Sequence, residues 1–244
     1  MYISGFNSAN AILKRPELIR KIFVSSSKKS LRLYEFVEKA ISLNLNIDYC
    51  NHTKLSVFDP TNKHQGVIVE VAPLTLYNQS HLKKILDNLG DSSLILILDS
   101  IQDPRNLGAC IRNAVAFGVD MLILNKDSSA PINDLVFKSS VGAVLDLNIL
   151  QVSNISNTID ILKKKGFWIF GLDGNSISNI VDESFPSKTV LIMGSEGFGI
   201  RPLIKKRCDK LLKISILENV ESLNISVATG ISLYEVNRQK HTKT

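Results

Sequence analysis

Cysteine is scarce in this chain of 244 residues: Cys50, Cys110 and Cys208 are odd in number and far apart. That excludes a disulfide framework or a cysteine metal cluster, and it fits a reducing cytoplasm. Histidine is as thin, with His52, His64, His81 and His241 scattered, so no zinc site is expected. Long apolar runs are missing. The longest, Leu94–Leu98, falls far short of the ~20 residues a membrane-spanning helix needs. The opening MYISGFNSANAILKRPELIRK has no leading charge, no long apolar stretch and no small-residue cleavage site, so no signal peptide is expected. Internal repeats and low-complexity tracts are absent too.

What is present describes a folded protein. Apolar residues make up 44%, enough for one large domain or two modest ones. The net charge of +6 is unevenly spread. Residues 14–32 carry Lys14, Arg15, Arg20, Lys21, Lys28, Lys29 and Arg32 against the single acid Glu17. A second cluster holds Arg201, Lys205, Lys206, Arg207, Lys210 and Lys213. Each fits either a solvated face or a polyanionic partner.

The pattern of apolar residues predicts two domains. Residues 1–72 read as a small α/β unit, with helices in NSANAILK and SLRLYEFVEKAISL and strands in KIFVSS and HQGVIVEV. Residues 73–93, with a proline upstream of many polar side chains and one short helix, read as a linker. From 94 to 244, near-continuous apolar strands alternate with helices: LILILD, MLILN, LNILQV, FWIFGLD, TVLIMG and LLKISI. Such alternation implies a mostly parallel sheet covered on both faces. Ligands bind beyond the carboxyl ends of such strands, so the loops that follow them matter most.

After LILILD comes DSIQDPRNLGACIRNA, where a helix is expected over 107–117. That helix puts Arg112 about one turn in, where a cation opposes the macrodipole and should have an anion nearby. After TVLIM comes GSEGFGIRP, in which Gly194, Gly197 and Gly199 enclose the acid Glu196. It is neither a dinucleotide-binding GxGxxG nor a Walker loop, and DSIQDPRNLG also lacks GxGxxG, which excludes a Rossmann dehydrogenase. After the strand expected at 211–216 comes ESLNISVATGISLYEV. Ser222, Asn224, Ser226 and Thr229 are threaded there through Leu223, Ile225, Val227 and Ile231, in sequence that should form core. Asn224 or Ser226 can cap the helix expected over 224–239. Unpaired buried polar groups cost about 1–3 kcal/mol each, so the rest should satisfy a ligand or one another.

Taken together, NLGACIR, LIMGSEGFGIRP and SLNISVATGISLYE resemble the three signature motifs of the SpoU (TrmH-like) RNA ribose 2'-O-methyltransferases of the SPOUT superfamily. The resemblance covers about 94–240, and GFNSANAIL with HQGVIVEV is similar to that family's N-terminal substrate-binding domain. It is closest to the RlmB-like subgroup, which modifies a guanosine of 23S rRNA. The resemblance implies a SPOUT-type mostly parallel sheet with a C-terminal trefoil knot, and an N-terminal α/β domain of the L30e/L7Ae ribosomal-protein type. It implies S-adenosylmethionine as methyl donor, held by Gly194, Ile214, Leu223, Asn224 and Ala228, with no metal. It places Arg112 at the 2'-hydroxyl, either as an unusually acidic base or as a group binding the adjacent phosphate and the forming alkoxide. Arginine rarely deprotonates, which favours the second. Asn106, Glu196, Ser222 and Asn224 are implied around the arginine and ribose. Arg15, Arg20, Lys28 and Arg32 become RNA contacts. The expected partners are RNA and a second copy of the chain, with Ile231, Leu233, Tyr234 and Val236 of the last helix as a possible interface; neither DNA nor membrane is expected. The alternatives are a tRNA substrate for the same chemistry, or a non-catalytic RNA-binding or ribosome-assembly protein.

Overall fold

Short alternating strands build the first of two sheets. The structure, a computed structural model, describes residues 1–28 and 30–242, and the chain divides into two units. The smaller holds Met1–Thr75 with Ile132–Leu145; the larger holds Leu76–Pro131 with Asp146–Thr244. In the smaller unit the chain runs β1 (Tyr2–Ser4), α1 (Phe6–Ile12), β2 (Ile19–Ser25), α2 (Leu31–Ser42), β3 (Ile47–Cys50), α3 (His52–Phe58) and β4 (Val67–Val71). The sheet order is β1-β4-β2-β3. β4 is antiparallel to β1 and β2, whereas β2 and β3 are parallel and need the crossover that α2 supplies. Ser30 starts α2 by accepting the Leu33 N–H on its hydroxyl at 3.2 Å. Phe23, Cys50, Leu55 and Ile68 form the core under α3, with the Phe58 ring 4.7 Å from Phe23 and 4.5 Å from Tyr2.

The larger unit runs β5 (Tyr77–Asn78), α4 (Leu82–Asp87), β6 (Ser93–Leu98), α5 (Pro104–Ala116) and β7 (Met121–Asn125). The chain then contributes α6 (Asp134–Ser139) to the smaller unit before returning as β8 (Asn148–Val152). There, Lys138 bridges Asp134 at 2.7 Å and donates to the Ser4 hydroxyl, and Gly142 packs on Ala11 where no Cβ would fit. The larger unit continues with α7 (Ile155–Lys164), β9 (Trp168–Leu172), β10 (Lys188–Met193), α8 (Pro202–Lys205), β11 (Lys210–Leu212) and α9 (Ile225–Thr242).

Its seven strands are parallel throughout, in the order β11-β9-β10-β6-β7-β8-β5. β6 and β7 are buried at every residue, as a sheet covered on both faces requires. From β6 the order proceeds to β7 and β8 on one side and to β10 and β9 on the other. The reversal therefore lies between β6 and β10, whose ends Leu98 and Met193 are in register. A crevice opens at such a switch point.

Three local differences from the sequence pattern have physical causes. Within 73–93, β5 extends the large sheet, and Leu82 and Leu86 of α4 are buried in its core. The last strand stops at Leu212 rather than 216, because its strand partner β9 ends at Leu172 and beyond it only Lys213 is bridged, to Asn179. Helix α5 begins at Pro104, since Asp103 caps it by accepting the Arg105 N–H at 2.8 Å and Pro104 suits the first turn. Arg112 is therefore the ninth helical residue, over two turns in, where the macrodipole has faded.

Gly171 of β9 is held at close quarters: an added Cβ would stand 2.8 Å from both Cys208 Sγ and Leu211 Cδ2. Gly171→Ala should therefore cost about 1–3 kcal/mol by overpacking. Gly90→Ala, whose Cβ meets open space, should shift stability by less than about 1 kcal/mol. Urea midpoints of the two variants check the contrast.

Candidate active site

The segments leaving β6, β10 and β11 meet at the carboxyl end of the large sheet. After β10, Gly194 lies flat against the next turn; a Cβ there would fall 1.9 Å from the Gly199 carbonyl carbon and 2.1 Å from the Ile200 nitrogen. The turn closes on itself, Ser195 N–H donating to Gly199 O at 3.1 Å and Gly199 N–H to Ser195 O at 2.9 Å. Gly199 turns with φ +63°, a conformation L side chains rarely adopt.

Glu196 rides on that turn and gathers the other segments. Its Oε1 accepts the Asn106 amide at 3.0 Å, the Asn224 amide at 2.6 Å and the Ile225 backbone N–H at 3.3 Å. Asn224 also donates to Asn106 Oδ1 at 3.1 Å. The other end of the Asn224 side chain caps α9, its Oδ1 accepting the Ser226 N–H at 2.9 Å and the Ser226 hydroxyl at 2.6 Å. One asparagine thus starts the last helix and binds the acid of the preceding loop.

Asn106, Cys110 and Asn113 follow at spacings of four and three and share one face of α5. Asn113 donates to Ser226 O at 2.7 Å, and Cys110 Sγ lies 3.5 Å from the Thr229 hydroxyl. Burial pushes the Cys110 thiol up to about 11, the Thr229 contact only partly opposing it, so it is neutral near pH 7 and is no nucleophile.

The polar threading of 221–236 is less buried than its apolar neighbours suggest. Ser222 and Asn224 are exposed, Ser226 is half-buried, and Thr229 is buried with its hydroxyl on Ile225 O at 2.7 Å. The helix begins so abruptly after an open loop that its first polar residues face outward. Arg112 is exposed too and makes no hydrogen bond or ion pair among the described residues. It lies about 100° around α5 from Asn113, off the face that meets Glu196. The chain by itself therefore brings together Asn106, Glu196 and Asn224 but leaves Arg112 unpaired.

Beside this node is a cavity of about 520 Å³. Four expected pocket residues, Gly194, Ile214, Leu223 and Ala228, line it, as do Glu196 and Ser222, while Asn224 stands between two lining residues. At its wall Asp173 pairs with Lys205 at 2.6 Å. Burial pushes the Asp173 carboxyl up, but the hydrogen bonds from Lys205 and the Asn175 N–H outweigh it and hold the group below the usual range. No group of three or more His, Cys, Asp or Glu among the described residues is placed to hold a metal ion.

One structural pair escaped sequence reasoning. Asp99, at the end of β6 and 0% exposed, accepts Arg201 N–H at 3.0 Å, Arg201 Nε at 2.8 Å and an ion pair with the guanidinium at 2.7 Å. This clamp ties the glycine turn to the sheet. Its signal was present: an acid closing an apolar strand, and an arginine just past the turn. The rest of the second basic cluster is largely spoken for, with Lys205 on Asp173, Arg207 on Asp160 and Lys210 on Glu183. In the first cluster, Arg15, Arg20, Lys28 and Arg32 are all exposed.

Residues 93–234 match the sequence model of the SpoU rRNA Methylase family. The chain belongs to that family. Residues 2–77 match a second model, RNA 2'-O ribose methyltransferase substrate binding. The chain is 37% identical over 99% of its length, and 96% of the relative's, to the 23S rRNA (guanosine-2'-O-)-methyltransferase RlmB of Neisseria meningitidis serogroup B. It is 35% identical to the Escherichia coli K12 enzyme of that name over 98% of each chain. In three dimensions it resembles the SpoU methyltransferase AviRb of Streptomyces viridochromogenes, solved in complex with the cofactor AdoMet. The TM-score is 0.80 at 19% identity, covering 99% of this chain and 91% of that one. The matched span contains all three segments that Glu196 draws together. No helix among the described residues is long and apolar enough to cross a membrane.

Arg201→Ala would leave the buried Asp99 carboxylate only the backbone N–H of position 201 and the Ser100 hydroxyl and should cost about 1–3 kcal/mol. Arg201→Lys should recover only part, because lysine cannot present two donors in a fixed fork. Chemical denaturation of both variants measures the difference.

Proposed function

We propose that this protein methylates the ribose 2'-hydroxyl of a guanosine in 23S rRNA, using S-adenosylmethionine, in the cytoplasm. The observation that carries the proposal is the three-way junction of Asn106, Glu196 and Asn224 beside the cavity. The cavity suits the donor: its volume of about 520 Å³ lies within the ~300–1,000 Å³ typical of small-molecule sites, and Gly194 opens the backbone to a ligand. Gly194, Ile214, Leu223, Asn224 and Ala228 would hold the donor, in a loop region we read as a trefoil knot. When bound, S-adenosylmethionine supplies a methyl group already activated by its sulfonium. No metal enters this mechanism.

A ribose hydroxyl is a poor nucleophile near neutral pH, so the protein must align it and stabilise the oxygen as its proton leaves. Asn106, with one amide hydrogen uncommitted, and Ser222 offer groups for that alignment, while Glu196 and the fully bonded Asn224 fix the Asn106 amide. Arg112, exposed and without an ion pair among the described residues, is free to bind the phosphate beside the target and to stabilise the forming alkoxide. DNA lacks the 2'-hydroxyl and is not a substrate. The smaller unit, which we read as an RNA-binding domain of L30e/L7Ae type built on the first 72 residues, contacts phosphates through Arg15, Arg20, Lys28 and Arg32.

Homodimerisation completes the assignment. In α9, Leu233 and Val236 are 0% exposed and belong to the chain's own core. Val227, Ile231 and Tyr234 stay exposed at helical spacing and form the apolar stripe a second copy would cover.

Incubating the protein with labelled S-adenosylmethionine and rRNA lacking the modification should label one ribose, mapped to a guanosine of 23S rRNA. Arg112→Ala should lower the rate by at least 100-fold while leaving donor affinity, read by calorimetry, within about twofold. Labelling confined to tRNA would replace the substrate, and absence of donor binding would favour a non-catalytic assembly factor. Tyr234→Arg with Ile231→Asp should turn a dimer into a monomer in light scattering and lower activity with it.

A further inference from the structure

Phe198 is the feature the mechanism above does not use. It is 94% exposed, on the turn that carries Glu196, and it lines the cavity beside the junction. It makes no ring contact among the described residues. Its neighbours Gly197 and Gly199 have no side chains to cover either ring face, and a Cβ on either would meet open space. The Ser195–Gly199 hydrogen bonds close the turn, Gly194 is wedged against its far end, and Glu196 is held by three donors. The ring is thus presented from a fixed base with its apolar faces unpaired.

Two residues of extended chain span at most about 7 Å. That is comparable with the separation between a ribose and its own base or the next base in a single strand. If the ribose is aligned by the Asn106 amide that Glu196 holds, a nucleobase lies within reach of Phe198. Bases have a π-face whatever their sequence, and stacking on an aromatic ring is the usual way proteins hold unpaired bases.

We propose that Phe198 is a positioning residue that stacks on an unpaired nucleobase at, or next to, the methylated nucleotide. The inference rests on the RNA methylation proposed above, and it predicts a role in RNA binding that is separate from donor binding. Its mechanistic consequence is that base extrusion and ribose alignment are set by one turn: Phe198 holds the base while Glu196 holds the amides.

The test compares wild type with Phe198→Leu, Phe198→Tyr and Phe198→Trp on a single-stranded 23S rRNA fragment that carries the target. Phe198→Leu keeps the apolar character but removes the π-face. It should raise the RNA Kd and KM by about 5- to 150-fold and change the maximal rate at saturating RNA much less. Tyrosine and tryptophan should stay within about threefold of wild type. Donor affinity by calorimetry and mass by light scattering should be the same in all four. A 2-aminopurine at the target or its neighbour should be quenched on wild type and not on Phe198→Leu. Equal RNA binding by leucine and phenylalanine overturns the proposal. So does a loss of donor affinity in Phe198→Leu, which would make the ring a cover for the donor, or a change of mass, which would make it an interface residue. If wild type methylates no RNA, the methylation assignment fails, and RNA binding by Phe198→Leu against wild type still decides the stacking.

Discussion

A single carboxylate oxygen receiving three N–H groups organises the catalytic end of this protein. Glu196 Oε1 collects donors from α5, from the residue that caps α9 and from the first backbone amide of α9. None of these segments is held there by apolar packing alone, since Glu196 and Asn224 are exposed. The acid replaces contacts that a buried core would otherwise provide, and it leaves the surrounding surface open to a large polymer. Asp99 does the complementary work from below, fixing the far side of the same turn to the buried sheet through Arg201.

Much of this was legible in the sequence, for identifiable reasons. The large sheet could be read because parallel strands buried on both faces are uniformly apolar, as in LILIL and MLIL. The meeting of Asn106, Glu196 and Asn224 could be anticipated because each stands in a segment that follows an apolar strand of the sheet. Other features could not. β5 spans two residues, too short for a period to register, and β11 was read as a strand but ends four residues earlier than LLKISI suggests. Residues 132–145 looked like one more helix of the sheet domain, and no local signal tells which core an amphipathic helix joins; Asp134 and Lys138 find their partner in Ser4, some 130 positions away. The exposure of Ser222 and Asn224 was hidden because Leu223, the apolar residue between them, lines a cavity rather than a core. Arg112 falls outside what one chain can show, as its side chain reaches solvent.

Charge counting misleads here in an instructive way. The two basic clusters look alike in sequence, yet the second is largely internally neutralised by Asp99, Asp173, Asp160 and Glu183, which are scattered over some eighty positions. In the first cluster Arg20, Lys28 and Arg32 are exposed, and no ion pair is formed by them among the described residues. The second cluster therefore offers a polyanion less than its count of charges suggests, and salt should screen what attraction remains.

The strand order also constrains how the protein comes into being. β10, at residues 188–193, lies between β6 and β9 and supplies the middle of the sheet. A ribosome making this chain releases β6 almost a hundred residues before its partner exists. Until then one edge of a wholly apolar strand is open to whatever it meets, a state that invites aggregation. Pairs this distant in sequence also form slowly. Such a chain would be expected to depend on chaperones while it is synthesised.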